Sequence, residues 1–436
     1  MVTMTFAQMQ VLTLDSCLSA ARQRNCTIKS AQLEVAVSRE VKKQMLWKYF
    51  PQVDLSAFAF GSARPIVDID VANANMGGDL GNFLTDVMKA ITEGLGDSIG
   101  TDIKMIRWGA AAQARAVQPV FWGGQIVTAN KLAKLGIDAA QLKEEVSERD
   151  VLQEVTETYW LIVGLNEKRA TITKLNELLD SISDVANAAY NHGLVTRNDL
   201  LRVQLKQNEL QTKSMQLENG IHLASRLLCH MIGAPYEHEL LLENFSEDES
   251  IESLAEEPAS VQIEGRPETK LLAINVRYNQ LMRRLTLGES LPHLAIGVSG
   301  GYTNFFSEHK FNALAFVTLN IPLTGWGETT HKLRQYDLKI KQAELMEANL
   351  REKMDLQNRQ VYTQLLESIR LMEQHRTGRE LAADNYRIAL MNYRAGVGTM
   401  TELLESEALL LLAENAYTDA RISYRSAARK FKEYNR

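Results

Sequence analysis

Three histidines, His222, His230 and His238, recur at eight-residue intervals, and on a helix such a repeat invites a metal reading. Helical metal pairs sit at i and i+4, whereas eight residues advance a helix by about 800°, leaving the rings about 80° out of register. Pro235 also interrupts the run, and no nucleophile motif accompanies it. Gly77-Gly78-Asp79-Leu80-Gly81 has the glycines of a phosphate loop but neither the strand before it nor the Lys-Ser/Thr after it. Cys17 and Cys26 are nine residues apart, which puts them on opposite sides of a helix, and Cys229 has no evident mate. These residues assemble no catalytic, cofactor or metal constellation. The expectation is a protein that is not an enzyme and needs no cofactor.

The elements that carry these residues are more informative. At 45% hydrophobic residues the chain can bury a core, which excludes disorder. Three cysteines in 436 residues exclude a disulfide scaffold. A net charge of −6 leaves no broad nucleic-acid footprint, so no nucleic-acid partner is expected. Nine acids and no Lys or Arg fall between Tyr236 and Glu257, the composition of a solvated linker. No apolar stretch approaches the roughly 20 residues of a membrane helix, although a β-barrel strand leaves little such signal. Residues 1–11 lack a basic leader, but Thr5-Phe6-Ala7-Gln8 has the look of a cleaved export signal from a longer precursor. Leu14-Asp15-Ser16-Cys17 has the order of a lipobox without its preceding apolar region.

Two proline-free runs, 120–234 and 323–436, are rich in helix-forming residues, and they are copies of each other. Tyr190-Asn-His-Gly193-Leu-Val-Thr196-Arg-Asn-Asp199 returns as Tyr393-Arg-Ala-Gly396-Val-Gly-Thr399-Met-Thr-Glu402, at an offset of 203. Pro119-Val-Phe-Trp-Gly-Gly124 returns as Pro322-Leu-Thr-Gly-Trp-Gly327 at the same offset. Phe50-Pro51 matches Leu291-Pro292 at 241, so the first copy holds 38 extra residues between its prolines. The division expected is a leader at 1–11, a first repeat at 12–233, an acidic equatorial segment at 234–258 and a second repeat at 259–436. An insertion at about 64–109 belongs to the first repeat. Its stripe of Leu80, Phe83, Leu84, Val87, Met88 and Ile91, flanked by glycines, is either a helix at the mouth of the molecule or a surface loop.

Residues 53–62, 112–121, 294–303 and 313–322 alternate at period two and match the 9–11 residues of a tilted membrane strand. Trp47, Tyr49, Phe50, Phe121, Trp122 and Trp326 sit at the strand ends, either as a membrane girdle or as capping of a soluble sheet. The helices carry heptads: Leu403, Leu410, Tyr417 and Tyr424 with Ser406, Ala413, Ala420 and Ala427, and Leu200, Gln207, Ser214 and Ile221 with Val203, Leu210, Leu217 and Ala224. A helix from Gly124 to Tyr190 would run about 100 Å. Four strands cannot close a barrel, and an open edge in lipid leaves backbone groups unsatisfied, so membrane placement requires several copies.

With its duplicated helix–strand–strand–helix unit, strand exit and Tyr-x-x-Gly-x-x-Thr turn, the chain from about 12 to 432 resembles the TolC outer-membrane efflux family. The resemblance implies a mostly α protein with a membrane β portion. In it, three copies share a 12-stranded transmembrane β-barrel and a coiled-coil α-barrel that projects into the periplasm. The implied function is the outer-membrane duct of a tripartite efflux or type I secretion system, exporting small molecules or proteins. Its implied partners are two further copies, a periplasmic adaptor, an inner-membrane transporter and outer-membrane lipid. The turns at Gly193, Thr196, Gly396 and Thr399 would dock the adaptor, and Glu402, Glu405 and Tyr393 would form the periplasmic gate. Six carboxylates around one axis would attract cations and raise one another's pKa. The alternative reading of Glu402 and Glu405 is two acids at the positive end of a helix. The chain departs from the family at Gly398, where the lock arginine is expected; Arg394 and Arg387 are the nearby substitutes. A soluble periplasmic coiled-coil scaffold or adaptor would share the heptads but gain nothing from the strands.

Overall fold

The computed structural model describes residues 11–61, 63, 108–193, 195–236, 240–243, 265–305, 308–323 and 325–434. The expected insertion stripe, residues 1–10 of the leader, His238 and most of the acidic segment lie outside the described residues. The elements in chain order are α1 (Leu14–Arg24), α2 (Cys26–Trp47), β1 (Gln52–Gly61), β2 (Trp108–Trp122), α3 (Gln125–Asn191) and α4 (Arg197–Ile232). The second half follows with α5 (Pro267–Glu289), β3 (His293–Phe305), β4 (Glu308–Asn320), α6 (Trp326–Arg394) and α7 (Met400–Tyr434). The fold is mostly helical with a single described sheet, as expected.

Two compact units emerge, and each draws on both sequence repeats. The helical unit takes the chain up to Glu40, Lys134–Asn279 and the chain from Lys339 onward. Its cores are the heptad faces. Val203, Leu210, Leu403 and Leu411 are buried with Leu175, Leu179 and Ile182 of α3 and Tyr386 of α6, so one cluster joins all four long helices. Each of the eight heptad positions named on α4, and each on α7, is buried or half-buried. A second cluster holds α1 against α3 and α4 through Cys17, Leu18, Val155, Tyr159 and Leu228. There α4 ends in a left-handed Gly233 (φ 65°), and the Asn25 amide donates to the Met231 carbonyl at 2.9 Å. Burial pushes the Cys17 thiol up to about 11 and the Tyr159 phenol up to about 12. The Tyr159 hydroxyl donates to the Leu12 carbonyl at 3.0 Å. Leu12 in turn bridges to Leu242, so part of the acidic segment is tied down rather than free.

The other unit spans Val41–Ala133 and Gln280–Leu338 and contains an all-antiparallel sheet in the order β1-β2-β3-β4. Three strands are longer than the alternation indicates, β2 starting at Trp108, β3 reaching Phe305 and β4 starting at Glu308. Pro119 and Pro322 are not equivalent joints. Pro119 lies inside β2 at a register shift between Pro119 and Phe121, where a strand tolerates an imide, while Pro322 follows the end of β4. Past β2 the chain turns through Gly123 and Gly124, both left-handed (φ 58° and 74°). A Cβ on Gly123 would overlap the Gly288 carbonyl, so glycine here permits a close backbone approach between the two joints.

Candidate functional site

The sheet has two chemically different faces. Directly paired residues share a face and alternate along each strand. One face carries the rows Val53–Ala116–Val298–Ala315, Leu55–Ala114–Gly300–Ala313 and Ala57–Ala112–Tyr302–Phe311. Gln118 and the Asn304–His309 pair at the far end apart, the residues of this face, with Ile296, Val317, Leu294 and Leu319, are apolar or aromatic. The opposite face carries Asp54–Arg115–Ser299–Leu314 and Ser56–Gln113–Gly301–Asn312. There Arg115 lies over the Phe316 ring at 5.0 Å, and that ring rests on Gly297, where any Cβ would collide with it. Among the described residues nothing covers the apolar face: Leu55 is 79% exposed, Val53 72% and Val317 70%. No described helix packs extensively on it, and β1 and β4 are unpaired edges among the described strands. A sheet that alternates apolar-out and polar-in, with an uncovered apolar face, has the pattern of a segment of membrane barrel. Trp47, Tyr49, Phe50, Phe121, Trp122 and Trp326, the expected girdle, are all exposed at its joints. Among the described residues, no helix is long and apolar enough to cross a membrane.

The two duplicated turns belong to the helical unit and are built alike. Gly193 N–H donates to the Tyr190 carbonyl at 2.9 Å, and Gly396 N–H to Tyr393 at 3.0 Å. Both glycines are left-handed (φ 75° and 74°) with open space around them, so the backbone conformation alone requires them. Thr196 and Thr399 then cap α4 and α7. Asp199 N–H donates to the Thr196 hydroxyl at 3.3 Å, and Thr196 N–H returns a bond to the Asp199 carboxylate at 3.1 Å. Glu402 N–H donates to Thr399 at 3.2 Å, and Thr399 N–H to the Glu402 carboxylate at 3.1 Å. The repeated motif is therefore a capping box written twice. Glu402 is the second acid of that box, while Glu405 is exposed one turn on.

Tyr393 is half-buried, and its phenol is pushed up first by burial and then by the charge of Asp199 on the other hairpin. At Gly398 a Cβ would stand 3.0 Å from Asn392 Cβ and 3.1 Å from Tyr393 N, so a larger residue there would crowd the backbone. Neither proposed substitute crosses between the hairpins in the described contacts. Arg387 pairs within its own helix with Asp384 at 3.1 Å, and Arg394 acts on Tyr386, also on α6. Arg202 of α4 does cross, donating to the Thr401 hydroxyl of α7 at 2.7 Å. Further along, Lys206 of α4 lies 3.4 Å from Glu407 of α7. Glu407 is 3% exposed and neither carboxylate oxygen accepts a hydrogen bond; burial raises its pKa and Lys206 only partly offsets this. The sequence reading missed Arg202, Thr401, Lys206 and Glu407. Glu407 stands one turn after Leu403 on the heptad stripe, a signal for burial, but nothing in the sequence pairs it with Lys206. His222 Nδ1 lies 2.8 Å from the Tyr236 hydroxyl, and among the described residues no His, Cys, Asp or Glu group gathers as metal ligands.

This architecture recurs in solved structures. The outer-membrane channel CmeC of Campylobacter jejuni superposes with a TM-score of 0.76 at 14% identity, covering 97% of this chain and 85% of CmeC. The fold is that of the TolC-like outer-membrane channels. CusC, described in terms of transmembrane channel formation, matches with a TM-score of 0.77 at 11% identity over 99% of this chain and 96% of its own. VceC, an outer-membrane protein of Vibrio cholerae, gives 0.74 at 12% over 97% and 95%. By sequence, the alkaline protease secretion protein AprF of Pseudomonas aeruginosa is 26% identical over 264 residues, 56% of this chain. That alignment spans about half of AprF, 53% of its length. No family model matches the chain.

Proposed function

We propose that this chain is the outer-membrane duct of a tripartite efflux or type I secretion system. The uncovered apolar face of the four-stranded sheet carries the proposal, because in water it would stay exposed and in lipid it is satisfied. The TolC-like fold and the likeness to a protein named for protease secretion point the same way. The duct conducts and does no chemistry. The free edges of β1 and β4 call for copies of the same chain, and three copies of four strands give the 12-stranded barrel with the helices as a periplasmic α-barrel. Residues 12–233 and 259–436 are two copies of one unit in this reading, joined by the segment at 234–258.

The turns at Gly193, Thr196, Gly396 and Thr399 are the adaptor-docking tip, and the adaptor bridges to an inner-membrane transporter that selects the cargo. Glu402, Glu405 and Tyr393 form the gate. Because Glu402 also caps α7, Glu405 is the freer charge and contributes more to the acidic ring. Extraction tests the proposal directly. A trimer that needs detergent and gives discrete conductance steps in planar bilayers is expected; a water-soluble rod would favour a periplasmic scaffold and overturn the duct. Glu405→Gln should weaken block by divalent cations, measured on single channels.

A further inference from the structure

Four helices meet the sheet: α2 and α5 end at it, while α3 and α6 begin from it. Each places a cation five or six residues from its joint, at Lys42, Lys131, Arg284 and Lys332. Lys43, Lys48 and Arg283 add to these, while the same stretch holds only two acids, Glu289 and Glu328. In a chain whose net charge is −6, a local excess of five cations is not background. Some of this charge is engaged: Arg283 pairs with Asp337 at 2.7 Å and Lys332 with Glu328 at 2.9 Å. Lys48, Lys131 and Arg284 are exposed and make no ion pair among the described residues.

Depth identifies the partner. Five or six residues of helix rise about 8–9 Å, and the headgroup layer of one leaflet is about 5–8 Å thick. A lysine or arginine side chain reaches back by several ångströms towards the interface. From strand to helix the order is apolar face, aromatic belt, then a cation five or six residues along each of four helices, which is the order of a bilayer from hydrocarbon to phosphate. We infer that these cations form a collar that binds the phosphates of anionic glycerophospholipids in the leaflet facing the helices. The inference rests on the membrane placement proposed above.

The test inserts the detergent-purified full chain into vesicles of phosphatidylcholine alone and of an equimolar mixture with phosphatidylglycerol. At about 1 kcal/mol per cation near an anionic surface, insertion into the mixed vesicles should be favoured by about tenfold or more, and the preference should fall with salt. K48Q/K131Q/R284Q should bring that preference below about threefold. K48R/K131R/R284K, which keeps the charges, should retain it. K174Q/K353Q/R376Q removes three exposed cations of the helical unit and should leave it intact. Equal insertion into both vesicles, or an equal loss in both glutamine variants, overturns the collar while leaving the membrane placement standing. Insertion into neither vesicle overturns the membrane placement and the collar with it.

Discussion

The two units of this chain have opposite senses of inside and outside. In the helical unit the heptad positions are hidden: Val203, Leu210 and Leu403 are fully buried. In the sheet unit a continuous apolar face is left exposed, at Val53, Leu55 and Val317, and charge sits on the other face at Asp54 and Arg115. A single solvent cannot suit both units. In the proposed duct the helices lie in water and the apolar face of the strands lies in hydrocarbon.

That contrast is most severely tested by reversing polarity on the sheet. Leu55→Arg with Val317→Arg should cost about 2–4 kcal/mol each at mid-membrane and abolish insertion into vesicles. Ser56→Arg with Asn312→Lys, on the opposite face, should insert like the parent. Equal losses would erase the distinction between the faces. Next in size, Leu210→Ala or Leu403→Ala should destabilise the helical unit by about 2–5 kcal/mol, read by thermal unfolding, and leave vesicle insertion of the folded fraction unchanged.

Glu407 sharpens the comparison because it breaks the rule in the helical unit, being a charge where an apolar residue belongs. Its pKa is raised in the fold, so the folded protein holds this proton more tightly than the unfolded chain. The stability it lends is complete below the ordinary glutamate pKa and is lost as pH rises through the raised value. Glu407→Gln should therefore melt several degrees higher than the parent at pH 8, and the gap should close as pH falls below about 4. A gap independent of pH would mean that Lys206 fully compensates the buried charge. The smallest effect is expected at the turns. Thr196→Ala and Thr399→Ala should each cost about 1 kcal/mol, and similar values would support one motif used twice.

Much of this was legible in the sequence, for physical reasons that differ by element. The heptads on α4 and α7 specify their buried faces because a helix repeats its contacts along its whole length. The Tyr-x-x-Gly-x-x-Thr turns are legible because a left-handed glycine and a threonine cap are local requirements. β2 shows the limit. Its Ala110-Ala111-Ala112 run favours helix intrinsically, and pairing on both sides holds it as strand from Trp108. Pro119 carries no N–H for a strand ladder, yet a register shift absorbs it within β2, and nothing local in the sequence marks that shift. Arg202–Thr401 and Lys206–Glu407 were not legible, since each joins residues about 200 positions apart on separate hairpins.

The unpaired edges of β1 and β4 have a consequence in time. The helical unit buries its heptads within one chain, so it can complete folding at a rate independent of concentration. In the proposed duct the sheet cannot, because the edges of β1 and β4 find partners only when other copies arrive. Insertion of such a duct is a reaction of higher order than folding, slow when the chain is scarce and steeply faster as it accumulates. In that reading each waiting copy displays the apolar face and the edges of β1 and β4, which makes it a client for a holding chaperone.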